Sequence, residues 1–142
     1  MGARLRHIAI SVPDIEQAVT FFEQAFGMRR VGNARFGVYV SDGTMNIALL
    51  KYPGDIPGYP PGHRFYGITH FGMWIDDLDK ATEQAEAAGA TYLMGRDQHN
   101  DQAFYEVKFT DPNGVVFDLT HSGWQGAVKE VVPVQTDKAA AE

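Results

Sequence analysis

Two histidines of this 142-residue chain stand at matching points of a repeated motif. Imidazole is the side chain that can take up a proton near neutral pH or lend a lone pair to a metal ion. The first copy reads Arg6-His7-Ile8-Ala9-Ile10-Ser11-Val12-Pro13-Asp14-Ile15. The second reads Thr69-His70-Phe71-Gly72-Met73-Trp74-Ile75-Asp76-Asp77-Leu78. His7 falls on His70, Asp14 on Asp77 and Ile15 on Leu78, at a constant offset of 70 − 7 = 63 residues. A lone histidine opening a strand is more often a hydrogen-bonded structural residue than a functional one. Two at equivalent points, out of only five in the chain, argue for a shared task.

Other chemistry is bounded by what the chain lacks. Without cysteine there is no disulfide framework, no thiolate metal site and no cysteine nucleophile. A net charge of −6 with no run of Lys or Arg argues against nucleic acid and anionic membranes, and leaves a neutral or cationic small molecule as ligand. No stretch is long and apolar enough to span a membrane, and the N-terminus carries no apolar leader, so a cytoplasmic protein is the expectation.

The elements that must position the histidines follow the same duplication. Residues 5–12 alternate as a strand, with Leu5, His7, Ala9 and Ser11 on one face and Ile8, Ile10 and Val12 on the other. Asp14 caps a helix whose apolar stripe is Ala18, Val19, Phe22 and Phe26, and Gly27 closes it. Phe21, Phe22 and Phe26 are expected in the core. Strands at 28–31, 35–40 and 45–51 follow, separated by turns at Gly32-Asn33 and at 41–43. Residues 52–65, with four prolines and three glycines, form a linker.

The second half repeats the order: a strand at 67–75, a helix capped by Asp77 and closed by Gly89, and strands at 90–94, 103–110 and 115–121. Gly27 to Gly43 spans 16 residues but Gly89 to Gly114 spans 25, and the extra nine fit a polar loop around 95–102. After His121 the chain leaves the repeat. The division is therefore one domain over 1–122, with repeats at about 4–51 and 66–121, and a C-terminal tail over 123–142. The apolar tail segment from Trp124 to Val134 is expected to cover a partner subunit.

The doubled strand-helix-strand-strand-strand plan, its two histidine openings and the closing Thr110-Asp111-Pro112-Asn113-Gly114-Val115-Val116-Phe117-Asp118-Leu119 resemble the vicinal-oxygen-chelate superfamily. This is the group of glyoxalase I, methylmalonyl-CoA epimerase, extradiol dioxygenases, fosfomycin-resistance enzymes and bleomycin-binding proteins. The resemblance covers residues 4–121. It implies an α+β fold in which two βαβββ repeats form curled mixed sheets around one divalent metal.

Carried over residue by residue, the resemblance puts the metal ligands at His7, His70 and Asp118, where the superfamily usually has Glu at the last. The corresponding first-half position is Ala48, which cannot bind metal, so this chain departs from the four-ligand members. Two histidines and a carboxylate suit Fe2+, Mn2+, Zn2+ or Ni2+ and leave positions open for substrate oxygens. Extradiol dioxygenases and fosfomycin enzymes use such a set. The resemblance implies a metal-dependent enzyme of lyase, isomerase or dioxygenase type acting on a small oxygenated molecule. Its alternative is a non-catalytic protein that sequesters an antibiotic-type small molecule. It also implies a homodimer.

Around this set, Trp74, Tyr66, Tyr105 and His99 are the candidates to contact substrate. Trp74 and Gly72 share the face of His70 by the strand period of two, Gly72 leaving room and Trp74 giving an apolar wall. Aromatic residues on half-buried strands are more often plain packing. His63, in the linker, is expected in solvent, and His121 faces away from Asp118.

Overall fold

The computed structural model describes residues 2–95 and 106–131. Ten elements follow in chain order: β1 (Arg4–Ser11), α1 (Ile15–Phe26), β2 (Arg29–Ala34), β3 (Gly37–Ser41), β4 (Asn46–Leu50), β5 (Gly67–Trp74), α2 (Leu78–Ala87), β6 (Thr91–Gly95), β7 (Val107–Thr110) and β8 (Val116–Thr120). The strands join one eight-stranded mixed sheet in the order β2-β3-β4-β1-β5-β8-β7-β6. No helix among the described residues is long and apolar enough to cross a membrane.

That strand order is the duplication made visible. β1 pairs parallel with β4 and β5 parallel with β8, while β1 and β5 meet antiparallel in the middle. Equivalent residues therefore occupy equivalent registers. Ala9 lies opposite Ala48 as Gly72 lies opposite Asp118, and Tyr39 faces Ala48 as Lys108 faces Asp118. At the central seam His7 lies opposite Gly72, and Ala9 opposite His70. Each imidazole has a small residue beside it, which gives both rings room on one face.

The helices cover the other face. Asp14 accepts a hydrogen bond from the Gln17 amide at 2.9 Å and Asp77 one from the Lys80 amide at 3.0 Å, so each aspartate caps its helix. Gly27 ends α1 at φ 67°, the left-handed conformation that glycine adopts without strain. Val19 and Phe22 of α1 pack on Ile10, Val38, Val40 and Leu49, and α2 packs on Ile75, Val107, Phe109 and Leu119. Two sequence expectations are corrected. Phe21 and Phe26 are 56% and 66% exposed, because the apolar stripe of α1 is wider than the sheet it rests on. Gly32-Asn33 is no turn: β2 runs on to Ala34 with a register shift between Arg30 and Gly32, and the chain reverses at 35–36. A Cβ on Gly32 would meet only the tip of the exposed Gln125 side chain, which can shift.

Two irregular segments finish the site's surroundings. The linker 52–65 buries Tyr52 and Ile56 against Ala9, Ala48 and Leu50 on the helix-free face, each burial stabilising by roughly 1.5–3 kcal/mol. The start of the tail folds back on its own chain. Asn46 Nδ2 donates to the Gln125 carbonyl at 2.8 Å, Arg6 Nε to the Val128 carbonyl at 2.8 Å, and the Val128 amide to the Gly43 carbonyl at 3.1 Å. Trp124 is buried against the sheet that carries His7, while Val128 and Val131 of the same segment are 51% and 43% exposed. Residues 132–134 of that expected segment lie outside the described residues.

Candidate metal centre

His7 from β1, His70 from β5 and Asp118 from β8 come together on the helix-free face. Period two sends all three the same way, and the register seam aligns their heights. His7 Nε2 lies 3.3 Å and His70 Nε2 3.2 Å from the same oxygen, Asp118 Oδ2. The two rings sit 5.5 Å apart, centroid to centroid. Asp118 is wholly buried, and the histidines are 2% and 7% exposed.

Each imidazole is held from behind. Gly72 makes room for His7, because a Cβ on it would fall 2.1 Å from His7 Cε1. Trp124 lies 5.5 Å from the His7 ring and stacks at 5.7 Å on Trp74, closing that end of the face. Thr69 fixes His70. Its hydroxyl donates to the Ala9 carbonyl at 3.3 Å, so its oxygen accepts from His70 Nδ1–H at 3.1 Å. With the proton on Nδ1, Nε2 is the acceptor that the Lys108 ammonium meets at 3.3 Å.

Into this converging set reaches Lys108 of β7. Its ammonium donates to Asp118 Oδ2 at 2.9 Å and to Glu106 Oε2 at 3.3 Å, and it lies 3.3 Å from His70 Nε2. Burial opposes its charge, yet Asp118 and Glu106 hold its pKa above the ordinary lysine value. Burial also pushes His70 down to about 4, helped by the neighbouring Lys108 charge, so His70 is neutral at pH 7. His7 is shifted the other way: burial lowers it, but the Asp118 carboxylate outweighs that and raises its pKa. Burial would push Asp118 up, yet His7 and Lys108 hold it well below the usual carboxylate range. Glu106 is raised, by burial first and then by Asp118.

The donor set fits a divalent metal. Neighbouring ligand atoms around an ion at about 2.0–2.2 Å stand roughly 2.9–3.6 Å apart, which brackets both Nε2–Oδ2 distances. The three donors are the one group among the described residues whose ligand atoms cluster within 4.8 Å in this way. Asp118 Oδ1 is buried without a hydrogen-bond partner, which is costly for a carboxylate oxygen unless a cation compensates it. These residues could hold a metal ion.

Of the candidates for substrate contact, Trp74 is half-buried under Trp124 and Lys129, with Lys129 also paired to Asp76. Tyr66 is 71% exposed at the head of β5, away from the cluster. His99 and Tyr105 lie outside the described residues. His63 is exposed beside Tyr59, and His121 is exposed past the end of β8. A largely apolar cleft of about 560 Å³ is lined by Ile8, Tyr59, Ile68, Phe71 and Val115; Ile8 and Phe71 alternate with His7 and His70, so these walls face away from the cluster. Lys108, Glu106 and Thr69 are the residues sequence reasoning missed. A signal existed for Lys108: the turn Asp111-Pro112-Asn113-Gly114 pairs Thr110 with Val116, and counting back two residues on each strand sets Lys108 opposite Asp118.

Fold and site together identify the class of protein. The chain belongs to the Glyoxalase/Bleomycin resistance protein/Dioxygenase superfamily, whose family pattern matches residues 4–119. It is similar to the metallothiol transferase FosB of Lysinibacillus sphaericus, 28% identical over 121 residues, covering 84% of this chain and 82% of that protein. It is also similar to the glutathione transferase FosA of Serratia marcescens, at 26% identity, covering 81% of this chain and 78% of that protein. Among solved structures, a methylmalonyl-CoA epimerase of Streptomyces coelicolor superimposes with a TM-score of 0.65 at 17% identity, covering 84% of this chain and 98% of that one. This last likeness is one of fold.

Proposed function

We propose that this protein is a metal-dependent enzyme acting on a small oxygenated organic molecule, with the ion held by His7 Nε2, His70 Nε2 and Asp118 Oδ2. The observation that carries the reading is the convergence of the two ring nitrogens on one carboxylate oxygen at 3.3 and 3.2 Å. Such an ion supplies Lewis acidity toward substrate oxygens and stabilises developing negative charge.

The chain's own residues do the rest. Thr69 Oγ1, 3.1 Å from His70 Nδ1, suits the tautomer with the proton there, and burial favours the neutral ring, so that Nε2 is the lone-pair donor. Gly72 lets His7 lie flat against β5, and Trp124 excludes water from its far side. Ala48 and Tyr39 make the first-half counterpart of Asp118 and Lys108 neutral, so only the second half offers charge to a ligand. Because two relatives bear transferase names, thiol addition to a small oxygenated substrate is the first reaction to assay, ahead of isomerisation and ring cleavage with dioxygen.

One observation favours a second reading, a small-molecule binder without chemistry: Lys108 gives the acceptors of the site a cation belonging to the chain. Metal analysis separates the two. Protein purified without chelators should carry close to one equivalent of a transition metal, and His7→Ala with His70→Ala should abolish it. Under a tenth of an equivalent, with no uptake on reconstitution, would reject the enzyme reading.

A further inference from the structure

We propose that Lys108 is a rival for the metal built into the site: its ammonium holds the acceptors of the metal-free form, and an ion enters only when Lys108 turns away to Glu106. This rests on the metal reading above and adds to it a mechanism of control.

The argument is a count of lone pairs. An ammonium has three N–H donors, and three acceptors surround Lys108 Nζ: Asp118 Oδ2 at 2.9 Å, His70 Nε2 at 3.3 Å and Glu106 Oε2 at 3.3 Å. Two of these belong to the ligand set. An imidazole Nε2 has a single in-plane lone pair, and in His70 Thr69 has already fixed which nitrogen bears it. That pair cannot serve an ammonium and a metal together. The carboxylate oxygen could be shared, but only by setting a divalent ion against an ammonium within a few ångströms in a buried place, where charges repel strongly.

Glu106 makes the exchange possible. It lies two residues before Lys108, on the same side of the chain, and is outside the ligand set. A lysine that leaves Asp118 and His70 keeps its ion pair with Glu106 and is not stranded. The price of metal entry is then two hydrogen bonds of the ammonium and not its whole solvation. Tyr39, in the equivalent register of the first half, has no such charge to offer, so the device belongs to the second half alone.

The experiment is titration of chelator-stripped protein with Co2+, followed by visible absorption, and with Zn2+, followed by calorimetry, for wild type, Lys108→Met and Lys108→Gln. Both variants should bind at least tenfold more tightly than wild type, with the same cobalt bands. In the wild-type protein the 15Nζ resonance of Lys108 should shift on addition of Zn2+ as its partners change. That measurement stands even where a variant fails to fold. Equal or weaker binding by folded variants, or an unmoved Nζ resonance in metal-loaded wild type, overturns the rivalry while leaving the metal site intact. No binding by wild type or by either variant removes the metal reading, and the rivalry with it.

Discussion

Gly72 sits directly across the β1–β5 seam from His7, and the space a Cβ would need there is already filled by the imidazole, 2.1 Å from Cε1 and 2.2 Å from Nδ1. His7 is 2% exposed and cannot swing aside freely. Gly72→Ala should therefore destabilise the protein by about 1–3 kcal/mol through overpacking. It should also weaken Co2+ binding by tenfold or more, because Nε2 is tipped off Asp118. Urea unfolding and cobalt titration check the two effects; unchanged affinity would show that the ring has slack that the packing does not suggest.

Asp118 and Lys108 should show strong coupling. Asp118→Asn leaves the buried ammonium with Glu106 as its remaining counter-charge, so the loss should fall below the about 3–5 kcal/mol of a charge left wholly unpaired. Adding Lys108→Met should recover more than half of that, since the ammonium that lost its nearer carboxylate goes with it. A double-mutant cycle read by urea denaturation measures the coupling, and additive losses would argue that the pair is not the organising contact of the cluster.

The two site histidines of the metal-free protein should contribute to stability with opposite pH dependence, because they are shifted in opposite senses. His70 has a folded pKa of about 4 against 6.5 when unfolded, so the unfolded chain alone binds that proton between those values. Its contribution is complete above pH 6.5 and is lost as pH falls toward 4, by at most about 3 kcal/mol. His7 has a folded pKa above 6.5, so its contribution is complete below pH 6.5 and is lost as pH rises through the folded value. Unfolding in chelator across pH 4.5–8.5 should show His70→Gln flattening the acid limb and His7→Gln the alkaline one. A pH profile that neither substitution changes would contradict both assignments.

Trp124 stacks on Trp74 and lies 5.5 Å from the His7 ring, so it should report on the site by fluorescence. Ni2+ or Co2+ should quench the tryptophan emission in proportion to occupancy, and His7→Ala should remove the quenching. Trp124→Ala should cost about 3–5 kcal/mol, as expected for emptying a buried aromatic position. If thermal melts show less than about 1 kcal/mol, the tail is not part of the core.

Much of this was legible in the residues. The 63-residue offset showed the duplication, the two aspartate caps fixed where the helices begin, and the alignment of Ala48 with Asp118 agrees with the sheet register. What escaped notice depends on contacts distant in sequence. Lys108 looks like an ordinary solvent-facing strand residue until the hairpin register is drawn. Trp124 joins His7 across more than a hundred residues, and no local pattern encodes that return. Gly32 follows a register shift within β2 that local turn propensity mistakes for a reversal. Thr69 bonds the ring of its immediate neighbour, a contact hidden by the rule that adjacent strand residues face apart.

The antiparallel meeting of β1 and β5 has a bearing on how the molecule is born. Neither repeat owns a complete sheet: the first, alone, would present β1 as a bare edge with its backbone amides and carbonyls unpaired toward the missing half. His7 is fixed to one lip of that edge and His70 to the other, so the candidate ligands do not meet until the last strands of the second repeat have closed. A ribosome-bound or clipped first half would be sticky, prone to pair with a sister chain in place of its own continuation.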